Sequence, residues 1–204
     1  LLDSNDKPIL RAYSICSPSW SEELEFYSII VKDGPLTSKL KNIKIGDDIV
    51  MMPKSTGTLV LDALKPGKRL FLFSSGTGFA PFAALIREPE TYERFESIIV
   101  THTCRMMAEL SYSKSIIQEC KNEELVKEFI DNKLLSYHST TRDDYIFNGR
   151  ITELILSGKL FNDLKINSIL SDDRFMFCGS MGLNNDLKKI MMENNFHEGA
   201  NNNP

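Results

Sequence analysis

Leu70-Phe71-Leu72-Phe73-Ser74-Ser75 runs directly into Gly76-Thr77-Gly78-Phe79-Ala80-Pro81, and no other stretch constrains the fold as strongly. A short apolar run without polar alternation reads as a strand buried on both faces, as in a parallel sheet covered by helices. Two glycines then make a tight turn, and Ala80-Pro81 opens a helix. Strand, glycine turn and helix start together let backbone approach a pyrophosphate. Pro81 stands where the third glycine of the dinucleotide fingerprint belongs, so the ordinary Rossmann pattern is incomplete.

The same grammar continues to the end of the chain. Strands are predicted at 70–74, 98–101, 134–138 and 175–178, and helices at 81–86, 108–120, 123–130, 151–157 and 183–194. Alternating strands and helices specify a parallel sheet with helices on both faces. Upstream of Lys65-Pro66-Gly67-Lys68 the pattern differs. Glu25–Val31, Ile49–Met52 and Thr58–Leu61 read as closely spaced strands, with one short helix at Leu36–Leu40, which suggests an antiparallel barrel. The expected division is therefore 1–66, a partial β-barrel, and 67–204, an α/β domain. The polar turn at Asp3–Pro8 and the Asn-rich stub at Asn201–Asn203 suggest a piece cut from a longer polypeptide.

Composition narrows the classes further. A net charge of −4 lacks the basic excess of a nucleic-acid binder. No apolar run approaches the ~20 residues that span a bilayer. Cys16, Cys104, Cys120 and Cys178 show no CxxC spacing, which argues against a zinc site or an iron–sulfur cluster. Unpaired cysteines suit a reducing, cytoplasmic compartment. His102, His138 and His197 are scattered, and His102 reads as a packed residue at a strand end.

Two further segments carry chemistry. In Arg11-Ala12-Tyr13-Ser14 a guanidinium suits paired phosphate oxygens, a phenol ring suits a flat aromatic ligand, and a hydroxyl suits a proton-bearing ring nitrogen. Alone, these residues equally suit a strand with a surface arginine and a turn serine. Gly34-Pro35-Leu36-Thr37-Ser38 carries a helix-start signal, which suits phosphate or a plain capped helix. Arg105, Arg142 and Arg150 follow predicted strands or a glycine, where an acidic residue for a ribose hydroxyl would be expected. Three such arginines suit a 2′-phosphate and so NADPH over NADH, or else surface salt bridges.

RAYS at 11–14, LEFYSIIVKDGPLTSKL at 24–40, STGTL at 55–59 and the GTGFAP loop together resemble the bacterial ferredoxin–NADP⁺ reductases of the plant-type reductase family. The resemblance implies a six-stranded antiparallel FAD-binding barrel followed by a five-stranded parallel NADP-binding α/β domain. It implies that Arg11, Ala12 and the backbone of Pro35, Leu36 and Thr37 hold the FAD pyrophosphate. Tyr13 then stacks on the flavin, Ser14 lies near its N5, and Tyr27, Ser28 and Ile29 follow the adenosine side. Thr77 borders both cofactors. Cys104, Arg105, Thr141, Arg142 and Arg150 line the NADP site, and Cys178, Gly179, Ser180 and Met181 lie beside the nicotinamide. Ser14, Tyr13 and Cys178 are the implied catalytic residues.

The implied function is electron transfer between NADP(H) and ferredoxin or flavodoxin through FAD, by a monomer. Lys39, Lys41 and Lys44 suggest a cationic landing surface for an acidic carrier, or an ordinary solvated helix face. Two alternatives stay open: an electron-transfer subunit of a larger oxygenase or dehydrogenase system, and a non-catalytic flavin-binding sensor.

Overall fold

The computed structural model describes residues 9–199, so the turn expected at Asp3–Pro8 and the stub at Asn201–Asn203 lie outside the described residues. The first helix is α1 (Thr37–Leu40). From there the chain runs β1 (Arg69–Ser75), α2 (Ala80–Leu85), α3 (Pro89–Arg94), β2 (Ser97–Cys104), α4 (Ser111–Cys120) and α5 (Lys127–Lys133). It continues through β3 (Leu134–Thr140), α6 (Ile151–Leu156), α7 (Lys159–Leu164), β4 (Asp173–Cys178) and α8 (Met181–Glu193). A 3-10 turn at Gly76–Phe79 joins β1 to α2.

The four strands form one parallel sheet in the order β3-β2-β1-β4. Alternation along β1 divides the core. Leu70 and Leu72 pack on one face with Phe79, Phe82, Ile86 and Ile116. Phe71 and Phe73 pack on the other with Ile151, Leu154, Phe161 and Leu187. The chain first winds outward from β1 to β3, then returns past β1 to β4. The reversal puts α2–α5 on one face and α6–α8 on the other. It also opens a crevice between the carboxyl ends of β1 and β4, the switch point where such sheets bind ligands.

At the opposite end of the sheet, Arg69 grips the fully buried Asp173 through Nε at 2.7 Å and Nη2 at 2.6 Å. The Leu170 amide also donates to this carboxylate, at 2.7 Å. A fork-to-carboxylate bond of this kind is strong and directional, and it locks the first residues of β1 and β4 side by side.

All four expected strands of the second half are present, each longer than predicted, β2 the most, since it runs on to Cys104. Two six-residue helices, α3 and α7, were not anticipated. The predicted helix over 108–120 divides into a 3-10 turn (Met107–Leu110) and α4, and the one over 123–130 starts later, at Lys127. The described residues supply four parallel strands where five were expected.

The first half departs further from expectation. Among the described residues, 9–66 form only one antiparallel bridge, Ile15 to Phe26, instead of barrel ladders. Ile29, Ile30, Val31, Ile49, Val50 and Met52 are exposed. Strand-type residues alone do not make a strand: each needs a neighbour for its backbone donors and acceptors, and two-stranded pieces are marginal.

This half is nonetheless tied to the sheet domain. The buried Arg87, just past α2, donates from Nη2 to the Cys16 carbonyl at 2.5 Å and to Glu25 at 2.7 Å. Trp20 Nε1 donates to the Arg87 carbonyl at 3.1 Å. Tyr27 stacks on Tyr112 of α4, with centroids 4.1 Å apart and planes 8° from parallel. Arg94 reaches Asp62 at 3.1 Å.

Candidate functional site

The crevice at the switch point continues into a cleft of about 1110 Å³ walled by both halves of the chain. Its floor is the Gly76–Phe79 turn. Gly76 has φ +52°, a left-handed conformation that glycine adopts without steric cost. Gly78 is needed for a different reason: a Cβ there would lie 1.9 Å from the Cys178 carbonyl oxygen. Only a bare backbone lets the β1 loop press against the end of β4. Thr77 lines the cleft between these two glycines.

The β4 side adds Cys178, Gly179 and Ser180. Burial pushes the Cys178 thiol up from its ordinary value, so the residue offers a neutral thiol to the cleft rather than a nucleophilic thiolate. The Ser180 hydroxyl accepts from the Leu183 amide at 3.2 Å and caps α8, while Met181 is 80% exposed and does not contribute to the cleft wall.

The far wall is built from the ends of β2 and β3. The Thr141 amide donates to the Cys104 carbonyl and the Arg142 amide to the Arg105 carbonyl, both at 3.0 Å, which brings the two loops together. Glu109 Oε2 accepts from the Arg105 and Met106 amides at 2.8 and 3.0 Å, and Asp143 Oδ2 accepts from the Met107 amide at 2.5 Å. Cys104, Arg105, Thr141 and Arg150 line the cleft, whereas Arg142 lies outside its lining. No carboxylate pairs with the Arg105, Arg142 or Arg150 side chains among the described residues, so the salt-bridge alternative does not describe them. Exposed guanidiniums without counter-ions suit an incoming phosphate. The Cys104 thiol is pushed up to about 11 by burial.

Across the cleft stand Arg11, Ala12, Tyr13 and Ser14, with Tyr27, Ser28 and Ile29 beside them. Arg11 Nη1 donates to the neighbouring Leu10 carbonyl at 2.7 Å and has no acidic partner among the described residues. Pro35, Leu36 and Thr37 line the same wall. The expected helix start there is modest, since α1 has four residues. The Thr37 hydroxyl is held within its own loop, accepting from the Val31 amide at 3.1 Å and donating to the Val31 carbonyl at 3.2 Å.

One cleft thus gathers every cofactor-site and catalytic residue named from the sequence except Arg142 and Met181, while Lys39, Lys41 and Lys44 lie outside its lining. It also contains residues not anticipated, notably Glu109 and Asp186. Neither carried a local signal: the residue three before Glu109 is Met106, not one of the capping types.

A glycine loop at the switch point of a doubly wound sheet, opposed by an arginine–tyrosine–serine wall, defines a dinucleotide-binding α/β protein with room for a second large ligand. No family model matches the chain. It is 51% identical over 205 residues to the flavodoxin/ferredoxin–NADP reductase of Rhodobacter capsulatus, covering 100% of this chain and 76% of that protein. It is 44% identical over 191 residues to the ferredoxin–NADP reductase of Azotobacter vinelandii, covering 93% of this chain and 74% of the relative. Among solved structures, a ferredoxin NADP⁺ reductase from Neisseria gonorrhoeae with bound FAD and NADP superposes with a TM-score of 0.80 at 24% identity, over 91% of this chain and 72% of that one. The chain belongs to the ferredoxin/flavodoxin–NADP reductase family.

Proposed function

We propose that this protein is a FAD-dependent oxidoreductase that passes electrons between NADPH and ferredoxin or flavodoxin. The observation that carries the reading is the shared cleft: the GTG loop at 76–78 and the RAYS segment at 11–14, far apart in sequence, both line it. At about 1110 Å³ it exceeds the ~300–1,000 Å³ usual for one small ligand, as two dinucleotides meeting at their reactive ends require. When bound, FAD supplies the exchange between a two-electron hydride donor and a one-electron carrier.

The residues present fit that group. Arg11, with no carboxylate partner among the described residues, is available to a pyrophosphate, and the half-buried Tyr13 offers a ring face beside the exposed Ser14 hydroxyl. Ser14 is assigned to the flavin's reacting edge and Tyr13 to stacking, with Ala12, Pro35, Leu36 and Thr37 beside the pyrophosphate and Tyr27, Ser28 and Ile29 along the adenosine. Thr77 borders both ligands. Arg105, Thr141 and Arg150 take the 2′-phosphate of NADPH, with Arg142 behind them. Cys178, held neutral by burial, packs beside the nicotinamide with Gly179 and Ser180, and Met181 stands at the rim.

The finer architecture follows the same reading: residues 1–66 belong to a six-stranded FAD-binding barrel, and residues 67–204 to a five-stranded NADP-binding domain of which four strands are described. No described helix is long and apolar enough to cross a membrane. A cytoplasmic monomer is the simplest state for a diffusing electron shuttle of this kind. The test is direct. Under anaerobic conditions NADPH bleaches the yellow FAD-loaded protein, and added ferredoxin or flavodoxin restores the colour. Protein that stays colourless with FAD supplied, or yellow with NADPH supplied, rules the assignment out.

A further inference from the structure

His102 belongs to neither set of assigned contacts, although it sits beneath the nucleotide loop. Its ring is 1% exposed, at the carboxyl end of β2. Nε2 lies 2.8 Å from the Gly76 carbonyl oxygen and Nδ1 lies 2.7 Å from the Ser113 hydroxyl of α4. Cys104 Sγ lies 3.2 Å from Nε2, and the Phe79 ring packs 5.1 Å from the imidazole, centre to centre. A carbonyl oxygen only accepts, so Nε2 carries the hydrogen and Nδ1 of the neutral ring accepts from Ser113, the shorter contact of a hydroxyl that also has the Leu110 carbonyl at 3.0 Å. Burial keeps the ring neutral by pushing its pKa down to about 4.

The carbonyl that His102 holds belongs to the one residue of the loop with positive φ. In a planar trans peptide the carbonyl and the following N–H point in opposite directions. With the Gly76 oxygen drawn onto the buried imidazole, the Thr77 N–H is turned away from it, and Thr77 itself lines the cleft. As a first-turn donor of the 3-10 segment, that N–H has no acceptor within the turn.

We propose that His102 is a positioning residue for the nucleotide loop: its Nε2–H bond to the Gly76 carbonyl fixes the 76–77 peptide so that the Thr77 amide is presented to the nucleotide's pyrophosphate. This rests on the NADP(H) assignment above and adds a residue that the nucleotide never touches. The loop's donor direction is then set from below, by a strand side chain that Ser113 holds in place.

Equilibrium binding to the FAD-loaded protein tests it with two probes, NADP⁺ and 2′-AMP, which carries the 2′-phosphate but no pyrophosphate. His102→Leu lowers NADP⁺ affinity by about tenfold or more, corresponding to ~1.4 kcal/mol, and leaves 2′-AMP affinity unchanged. His102→Gln, whose amide N–H reaches the same carbonyl, recovers most of the loss. Equal binding of NADP⁺ by wild type and His102→Leu overturns the proposal, as does parallel loss of both probes or a Gln variant no better than Leu. If His102→Leu does not fold, Ser113→Ala carries the test: it keeps the ring but removes its anchor, and unaltered NADP⁺ affinity overturns the proposal. A wild-type protein that binds no NADP⁺ refutes the nucleotide assignment itself, a different outcome from any of these.

Discussion

Replacing Gly78 by alanine tests the geometry of the site at its tightest point. The added Cβ would sit 1.9 Å from the Cys178 oxygen, 2.4 Å from the Cys178 carbonyl carbon and 2.9 Å from the Gly179 nitrogen. All three are backbone atoms, so no rotamer change relieves the collision. Ordinary contact begins near 3.4 Å, and the β1 loop and the end of β4 must therefore separate by roughly 1.5 Å. Overpacking of this kind costs about 1–3 kcal/mol of stability. The larger effect is on function, because a displacement of about 1 Å at reacting groups costs on the order of 10²-fold in rate. Gly76→Ala is the control: nothing lies within 4 Å of its Cβ, and only the φ of +52° penalises it, by about 1–2 kcal/mol. Thermal melts and anaerobic stopped-flow reduction by NADPH measure both effects. Gly78→Ala should fall about a hundredfold in hydride transfer while Gly76→Ala falls far less. Equal rates for the two variants would refute the claim that close backbone approach, rather than turn conformation, is what Gly78 provides.

The remaining expectations concern the cleft walls and the buried histidines. Arg150→Ala removes a guanidinium that lines the cleft and has no carboxylate partner among the described residues, and it should weaken NADPH by about 10- to 100-fold, from the ~1.5–3 kcal/mol of a charged hydrogen bond. NADH should lose little, and Arg142→Ala should do less than Arg150→Ala; equal losses for both nucleotides in a titration would remove the 2′-phosphate argument. Ser14→Ala should slow flavin reduction in stopped flow without releasing FAD, and an unchanged rate would deny the hydroxyl its role. Acid should destabilise the fold from pH 6.5 downward, because His102 and His138 are both pushed down to about 4 by burial. Between pH 6.5 and 4 the unfolded chain binds protons that the folded chain refuses, so stability present above pH 6.5 is lost as pH falls, by about 1.4 kcal/mol per unit for the fully buried His102. Urea midpoints across this range should fall less steeply for His102→Gln, and parallel slopes would count against the neutral buried ring.

What could be read from the sequence, and what could not, follows the range of the interactions involved. Leu70–Phe73 declared a doubly covered strand because both faces of β1 are apolar, and its own residues say so. The turns at Gly76 and Gly78 were equally legible, since glycine marks a backbone demand directly. The six-residue helices α3 and α7 escaped notice because each is too short to show a period; α3 is defined by Pro89 at its first position and α7 by Gly158 at φ +75°. In residues 9–66 the residue types favour strands, yet ladders depend on partners that no local pattern names, and only Ile15 and Phe26 pair. The same limit governs the site. His102 and Gly76 are 26 residues apart, and nothing near either names the other. They meet because β1 and β2 pair in parallel with Ser74 beside His102, which carries the imidazole to the strand end just as the chain turns at Gly76. A one-residue slip in that register would send the ring to the opposite face of the sheet. The contact that orients the nucleotide loop is therefore a product of strand pairing, invisible to any reading of residues taken in order.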